Sequence, residues 1–375
     1  MRDTDADTVR RALAAGDPLP GTAGFAGELD GRLVRDVLGR RPLFSDADDP
    51  TEWSVDPTDL ASPRRVPAGT VRTADGDERV WTLPDPDPRD DEAALTAVRD
   101  AVTTSVRSVD SAEPRYANRS SGQHPRADAG DLAVAFSGGV DSAVVAAGVP
   151  DAPCYVVGFP GAHDVEAARA AAEAMDRDLR VVELDHADLE RAVPELVRAT
   201  GRTNAMDVQI ALPLYLVAEA AAADGYDRLA VGQGADELFG GYAKVVAPAA
   251  DARVAADTVR GAVRETVETL PEQLERDVLA LRAAGVEPVA PLLHDRVVRA
   301  ALPLPGHLLA TDDERKVALR RAAAGLVPDS VVDADKKAVQ YGSLVARELD
   351  RLARQAGFKR RMDDHVDEYV RSLVE

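Results

Sequence analysis

The sequence predicts an α/β fold, a doubly wound parallel sheet with a helical C-terminal part and a small β-rich domain ahead of it. Three observations predict it. Between residues 131 and 240, apolar runs near 132–136, 154–159, 180–184 and 228–232 alternate with Ala-rich helical patterns near 142–148, 164–175, 188–199 and 209–224. That order builds a parallel sheet with helices on its faces. Two of the runs end in glycine-rich turns that carry an acid, Ser137-Gly138-Gly139-Val140-Asp141-Ser142 and Gly232-Gln233-Gly234-Ala235-Asp236-Glu237. Open α/β sheets bind ligands just beyond the carboxyl ends of their strands. From 252 to 375 the pattern is helical.

Ahead of the sheet, Leu95, Val98, Val102 and Val106 recur at three- and four-residue spacing, so Asp91–Arg107 is expected to form an amphipathic helix. Residues 111–130 are rich in Ser, Arg, Pro and Gly, nearly lack aliphatic side chains, and read as an exposed, mobile insertion. Residues 1–85 form the β-rich part and 86–375 the remainder, and 375 residues suffice for two domains around one large core.

The first acid-bearing turn has the chemistry of a phosphate cradle. Gly138 and Gly139 let backbone N–H groups approach an anion, the following helix N-terminus favours negative charge, and Ser137 and Ser142 offer hydroxyls. Asp141 would repel phosphate unless a hard cation such as magnesium sat between them. Alone, this turn reads equally well as a strand-to-helix connection capped by Asp. Asp236, also just past a strand, offers the second carboxylate that a magnesium bridge to pyrophosphate needs.

Together the two motifs, with Leu238-Phe239-Gly240-Gly241-Tyr242 completing the second, resemble the asparagine synthetase branch of the PP-loop ATP pyrophosphatases. The resemblance runs from about residue 90 to 350. It takes in Thr203–Val217 with Asp207, then Arg276-Asp277, Gly285-Val286-Glu287, Pro291-Leu292-Leu293, Lys316 within Lys316-Val-Ala-Leu-Arg320, and Lys336-Lys337-Ala-Val-Gln340-Tyr341-Gly342-Ser343. It implies a PP-loop fold, ATP and Mg2+ as cofactors, and an amide-forming ligase that adenylates a carboxylate before an amine displaces AMP. Asp141 and Asp236 would hold the metal. Ser137, Gly138, Gly139 and Ser142, with Gly232 and Gly234, would line the nucleotide, and the backbone of Val157, Gly158 and Phe159 would face adenine. A lysine six residues before a glycine stabilises the leaving pyrophosphate in this family, and Lys336 before Gly342 fits, with Lys337 second and Lys316 as an added charge.

Composition also singles out these lysines. Of 45 basic residues only Lys244, Lys316, Lys336, Lys337 and Lys359 are lysine; a compact ammonium kept against an arginine bias points to phosphate at Lys316 and Lys336, while Lys244 and Lys359 read as surface residues. A net charge of −21 argues against nucleic acid and anionic membranes as partners, and the dispersed acid resembles adaptation to concentrated intracellular salt. One cysteine excludes an internal disulfide framework, no apolar run approaches 18 residues, and the start Met-Arg-Asp-Thr-Asp-Ala-Asp is no signal peptide. A cytoplasmic protein is expected.

Two departures from the family pattern follow. Gly24-Phe-Ala-Gly27, Arg35–Phe44 and Val66–Thr70 resemble pieces of the glutaminase domain that precedes the synthetase domain, yet Arg2 stands where its nucleophilic cysteine belongs. Residues 1–85 therefore read as a shrunken, catalytically dead remnant, and free ammonia with aspartate is the expected substrate pair. A separate glutaminase subunit and a homodimer stay open. Gln233 stands where asparagine synthetases carry Glu, which removes a carboxylate from that position; as a binding residue its amide would donate to a substrate carboxylate, and Glu287 is then the candidate base from order in the chain. A PP-loop ligase or adenylyltransferase acting on another acid, amine or RNA, and a non-catalytic ATP-binding interaction protein, are the rival readings.

Overall fold

The computed structural model describes residues 1, 4–49, 51–109, 131–334, 341–359, 361 and 364–374, with the side chains of 341–343 excluded. The 111–130 insertion, Arg2, Lys336 and Lys337 lie outside the described residues.

In the N-terminal part, helix Ala6–Ala15 is followed by seven short antiparallel strands among the described residues. β1 (Ala26–Leu29), β2 (Arg32–Arg35), β6 (Thr70–Thr73) and β7 (Gly76–Arg79) form one sheet in the order β1-β2-β6-β7, while β4 (Trp53–Ser54), β3 (Phe44–Asp46) and β5 (Pro63–Arg65) form a second. The central sheet is wholly parallel: β10 (Leu179–Glu183), β9 (Cys154–Gly158), β8 (Leu132–Ala135), β11 (Arg228–Ala230) and β12 (Glu287–Val289), in that spatial order. From β8 the chain builds outward through β9 to β10 and then returns to place β11 on the other side of β8. The order therefore reverses between β8 and β11, which is the switch point where such sheets open a ligand crevice.

Period-two alternation feeds two cores. Ala133, Tyr155, Val157 and Leu229 face one buried layer, with helices His186–Thr200, Ala205–Ala223 and Tyr341–Gln355 packed over it, while Val134, Val156 and Ala230 face the layer under helices Asp91–Arg107, Val140–Gly148 and His163–Ala174. The strands and helices of residues 131–240 fall within a few residues of the expected ones, and Asp91–Arg107 is a helix from end to end. β12 corrects the expectation that everything after 252 is helical. It is three residues long and contains Pro288, tolerated because β12 is an edge strand. Helix Ala205–Ala223 corrects the expectation that no apolar run reaches membrane-spanning length, since by length and composition it does, at a mean hydropathy of 1.3. It is a core helix here, with Val208, Ala211, Leu212, Tyr215, Leu216 and Ala218 buried between its neighbours.

The N-terminal part is locked onto the rest by buried ion pairs. Arg40 bridges Asp36 (2.8 Å) and Asp295 (2.7 Å) and donates to the Leu293 carbonyl, while Asp295 accepts from the backbone N–H groups of Gly21 and Thr22. The fully buried Arg35 donates to the Val66 and Gly39 carbonyls and faces Glu275 at 3.5 Å. Breaking one partner of such a pair strands a buried charge, at about 3–5 kcal/mol. Leu293 also packs on Gly234, so the N-terminal part buttresses the second glycine-rich turn.

Candidate functional site

The turn after β8 is shaped by two glycines and one hydroxyl. Gly138 has φ +75°, and a Cβ there would lie 2.7 Å from the Ala167 carbonyl oxygen, so conformation and space both demand glycine. Gly139 is the N-cap of helix Val140–Gly148. Ser142 Oγ accepts from the Ser137 N–H (3.2 Å) and donates to the Gly139 carbonyl (3.1 Å), clasping the turn at the start of the helix, with Ser137 Oγ 3.3 Å away. The expected phosphate donor Ser142 is thus committed to the turn itself.

The turn after β11 lies against the first. A Cβ on Gly232 would sit 3.0 Å from Asp141 Cβ and 3.2 Å from the Ser142 nitrogen, so glycine lets the two turns touch. Gly234, at φ +91°, reverses the chain into the helix Ala235–Phe239, which carries Asp236 in its first turn.

Between the turns sits Lys316. Its Nζ lies 2.5 Å from Asp141 Oδ2 and 2.6 Å from Asp236 Oδ1, and the side chain is only 4% exposed. Burial alone would push its pKa down; the two carboxylates outweigh burial and hold it above the ordinary lysine value. Lys316 is in the left-handed region (φ 59°) at the N-cap of helix Val317–Ala323, a conformation that costs a residue with a Cβ about 1–2 kcal/mol. Gly241 makes the pairing feasible, because a Cβ there would overlap both Asp236 Oδ1 and Lys316 Cε. Asp141 Oδ1 is buried and has no hydrogen-bond partner among the described residues. Carboxylates converging on one positive charge, with a buried oxygen to spare, suit a hard divalent cation, which takes one or two carboxylates and completes its shell with water and phosphate.

A second polar cluster begins at Gln233, whose Nε2 donates to Asp277 Oδ2 at 2.7 Å. The amide N–H rather than the amide oxygen thus faces the carboxylate. Arg276 pairs with Asp277 (2.7 Å) and with Asp207 (2.8 Å), which Arg202 and Asn204 also hold. Burial raises the pKa of Asp277 despite Arg276. Tyr242 joins the clusters: its hydroxyl donates to the buried Glu237 at 2.5 Å, and burial, then Glu237, Asp236 and Asp277, push its pKa up. Burial, with Asp236, also raises that of Glu237.

The structure thus brings Ser137, Gly138, Gly139, Asp141, Ser142, Gly232, Gly234, Asp236 and Lys316 into one cluster at the two adjoining turns, with Gln233 beside it. Val157 turns its side chain into the core, leaving its backbone and that of Gly158 at the carboxyl end of β9, where Phe159 stacks edge-on against His186 at 6.0 Å. Glu287 is not brought in. It pairs with Arg228 in register, at the amino end of β12, and is held by Arg282 (2.8 Å) and Arg41 (3.2 Å). This corrects its expected place as a base beside Gln233. One N–H of the Gln233 amide is given to Asp277, so the expected donation to a substrate carboxylate would fall to the other. Gly241 and Asp277 also belong to this arrangement; both stand within the sequence motifs, but spacing alone does not reveal the contacts that Gly241 makes with Asp236 and Lys316 or Asp277 with Gln233.

Residues 122–265 and 250–373 match the family model described as asparagine synthase. Over 280 residues, 65% of this chain and 51% of the relative, the sequence is 27% identical to a protein of Methanocaldococcus jannaschii provisionally named a glutamine-hydrolysing asparagine synthetase. The alignment spans about half the length of that relative.

Proposed function

The chain belongs to the asparagine synthase family, and from that premise we propose that it is an ATP-dependent ligase that makes an amide, with aspartate as the acid and ammonia as the amine. A substrate carboxylate oxygen attacks the α-phosphorus of ATP and pyrophosphate leaves; ammonia then attacks the acyl carbon of the adenylate, AMP departs and a proton is lost. The observation that supports this reading most is the convergence of Asp141, Asp236 and Lys316 at the switch point of the sheet.

The turn 137–142 and the N-terminus of helix Val140–Gly148 would receive the pyrophosphate. Lys316, with Lys336, would place positive charge where charge develops on the leaving group, usually the largest catalytic contribution. Magnesium would be held by Asp141 and Asp236 and would supply further charge to the phosphate oxygens. Ammonia rather than glutamine fits the one cysteine in the sequence, Cys154, which is buried within β9 with burial pushing its thiol pKa up, leaving it unready to attack an amide. Gln233 in place of Glu favours, as a second reading, another acid or amine in the same reaction.

The test is release of pyrophosphate and AMP from ATP with magnesium and high potassium chloride, over a panel of carboxylic acids, with ammonium or glutamine. Equal yields of AMP and amide with aspartate and ammonium, and none with glutamine, are expected. Release of ADP and phosphate would sink the ligase reading, and turnover only with a different acid would select the second.

A further inference from the structure

The metal-binding carboxylates named above are already occupied by a cation that belongs to the chain. We infer that Lys316 is the resident counter-ion of the nucleotide-free site: it holds the divalent cation's place between Asp141 and Asp236, rejects a free ion, and yields only when nucleotide phosphates accompany the metal, so that metal and nucleotide enter as one ligand. The inference rests on the proposed function and deepens it.

Three features support it independently. Nζ sits 2.5 and 2.6 Å from one oxygen of each carboxylate, as near as a cation shared between them can be. The space is filled, since the pair lies against the Cα of Gly241 with no room even for a methyl group. The occupant also satisfies the site incompletely, because Asp141 Oδ1 stays buried without a partner among the described residues.

A free divalent ion entering alone would meet the ammonium at close range and would have to drive a buried charge from both its counter-ions with none in exchange. Phosphate oxygens change this, because the displaced ammonium can move onto them and the carboxylates pass to the metal. The left-handed backbone at Lys316 (φ 59°), sparsely populated for a residue with a Cβ, marks the position as held by its surroundings rather than by its own preference.

The experiment measures Mn2+ alone, by electron paramagnetic resonance and calorimetry, on the wild-type chain, Lys316→Met and Lys316→Met/Asp141→Asn, each with and without α,β-methylene-ATP. Without nucleotide, Lys316→Met should bind Mn2+ at least about tenfold more tightly than wild type, the effect of removing one close positive charge. The gain should vanish in the double variant, and wild type should gain Mn2+ affinity when the analogue is added. Equal Mn2+ affinities for wild type and Lys316→Met, or wild-type binding as tight without the analogue as with it, would overturn the inference. Should Lys316→Met fail to fold by circular dichroism, the wild-type comparison decides. A wild type that binds no analogue overturns the ligase reading instead, while the Mn2+ comparison between wild type and Lys316→Met still decides the place of Lys316.

Discussion

Gln233→Glu would set a second carboxyl group 2.7 Å from Asp277, where the amide now donates. Two unit charges at that distance repel by about 6 kcal/mol at an effective dielectric of about 20. Solvent on the half-buried Gln233 side and the Arg276 guanidinium 2.7 Å from Asp277 reduce this repulsion without removing it. The like charge pushes the carboxyl pKa of the variant pair further up, against the pull of Arg276, as between close carboxylates. A carboxyl whose folded pKa is raised holds its proton in the native state after the unfolded chain has released it. Stability is then lost as pH rises from the unfolded value near 4 and levels off above the raised folded value. The melting temperature of Gln233→Glu, measured from pH 5 to 8 in high salt, should fall increasingly below that of wild type by several degrees. Parallel pH profiles for the two proteins would refute the close Gln233–Asp277 contact. In the amidation assay, the loss of a neutral amide beside the crevice should raise KM for the acid more than it lowers kcat. A gain in kcat at neutral pH would instead mark position 233 as a damaged base.

Asp141→Asn and Asp236→Asn should each reduce pyrophosphate release by about a hundredfold or more, through loss of charge at the reacting phosphates, with circular dichroism unchanged; near-normal turnover would make either carboxylate a mere helix-terminus residue. Gly241→Ala should act as strongly without touching a charge, because the new methyl overlaps Asp236 Oδ1 and Lys316 Cε; since Gly241 is outside the left-handed region, wild-type turnover in this variant would exclude the Lys316–Asp236 pairing. With a net charge of −21, the chain should melt at higher temperature as potassium chloride rises from 0.1 M to 1 M and the screening length shrinks from roughly 10 Å to roughly 3 Å. A flat or falling melting temperature would refute the reading of its acid excess as salt adaptation.

What the sequence made legible was whatever local chemistry dictates. β8, β9 and β11 announce themselves as apolar runs, and the turns after them need glycine for reasons visible in the residues alone, so Asp141 and Asp236 could be named before the fold was known. β12 was hidden because three residues with a proline carry almost no strand signal, and its place is set by pairing with β11. That one omission misplaced Glu287. Order along a chain says which elements are neighbours but not which end of a strand faces the crevice; once Glu287 is known to open β12 rather than follow it, the parallel sheet puts it at the amino edge, opposite the ligand side. Lys316 shows the complementary case. Its rarity against an arginine background flagged it, and rarity is a statement about selection for an ammonium. That the ammonium would lie between Asp141 and Asp236, 175 and 80 residues away in sequence, depends on a left-handed helix start and on the missing Cβ of Gly241, neither of which composition can supply. A site built by two turns of one sheet is readable from spacing, whereas the charge that closes it comes from a third element whose approach only the packed structure determines.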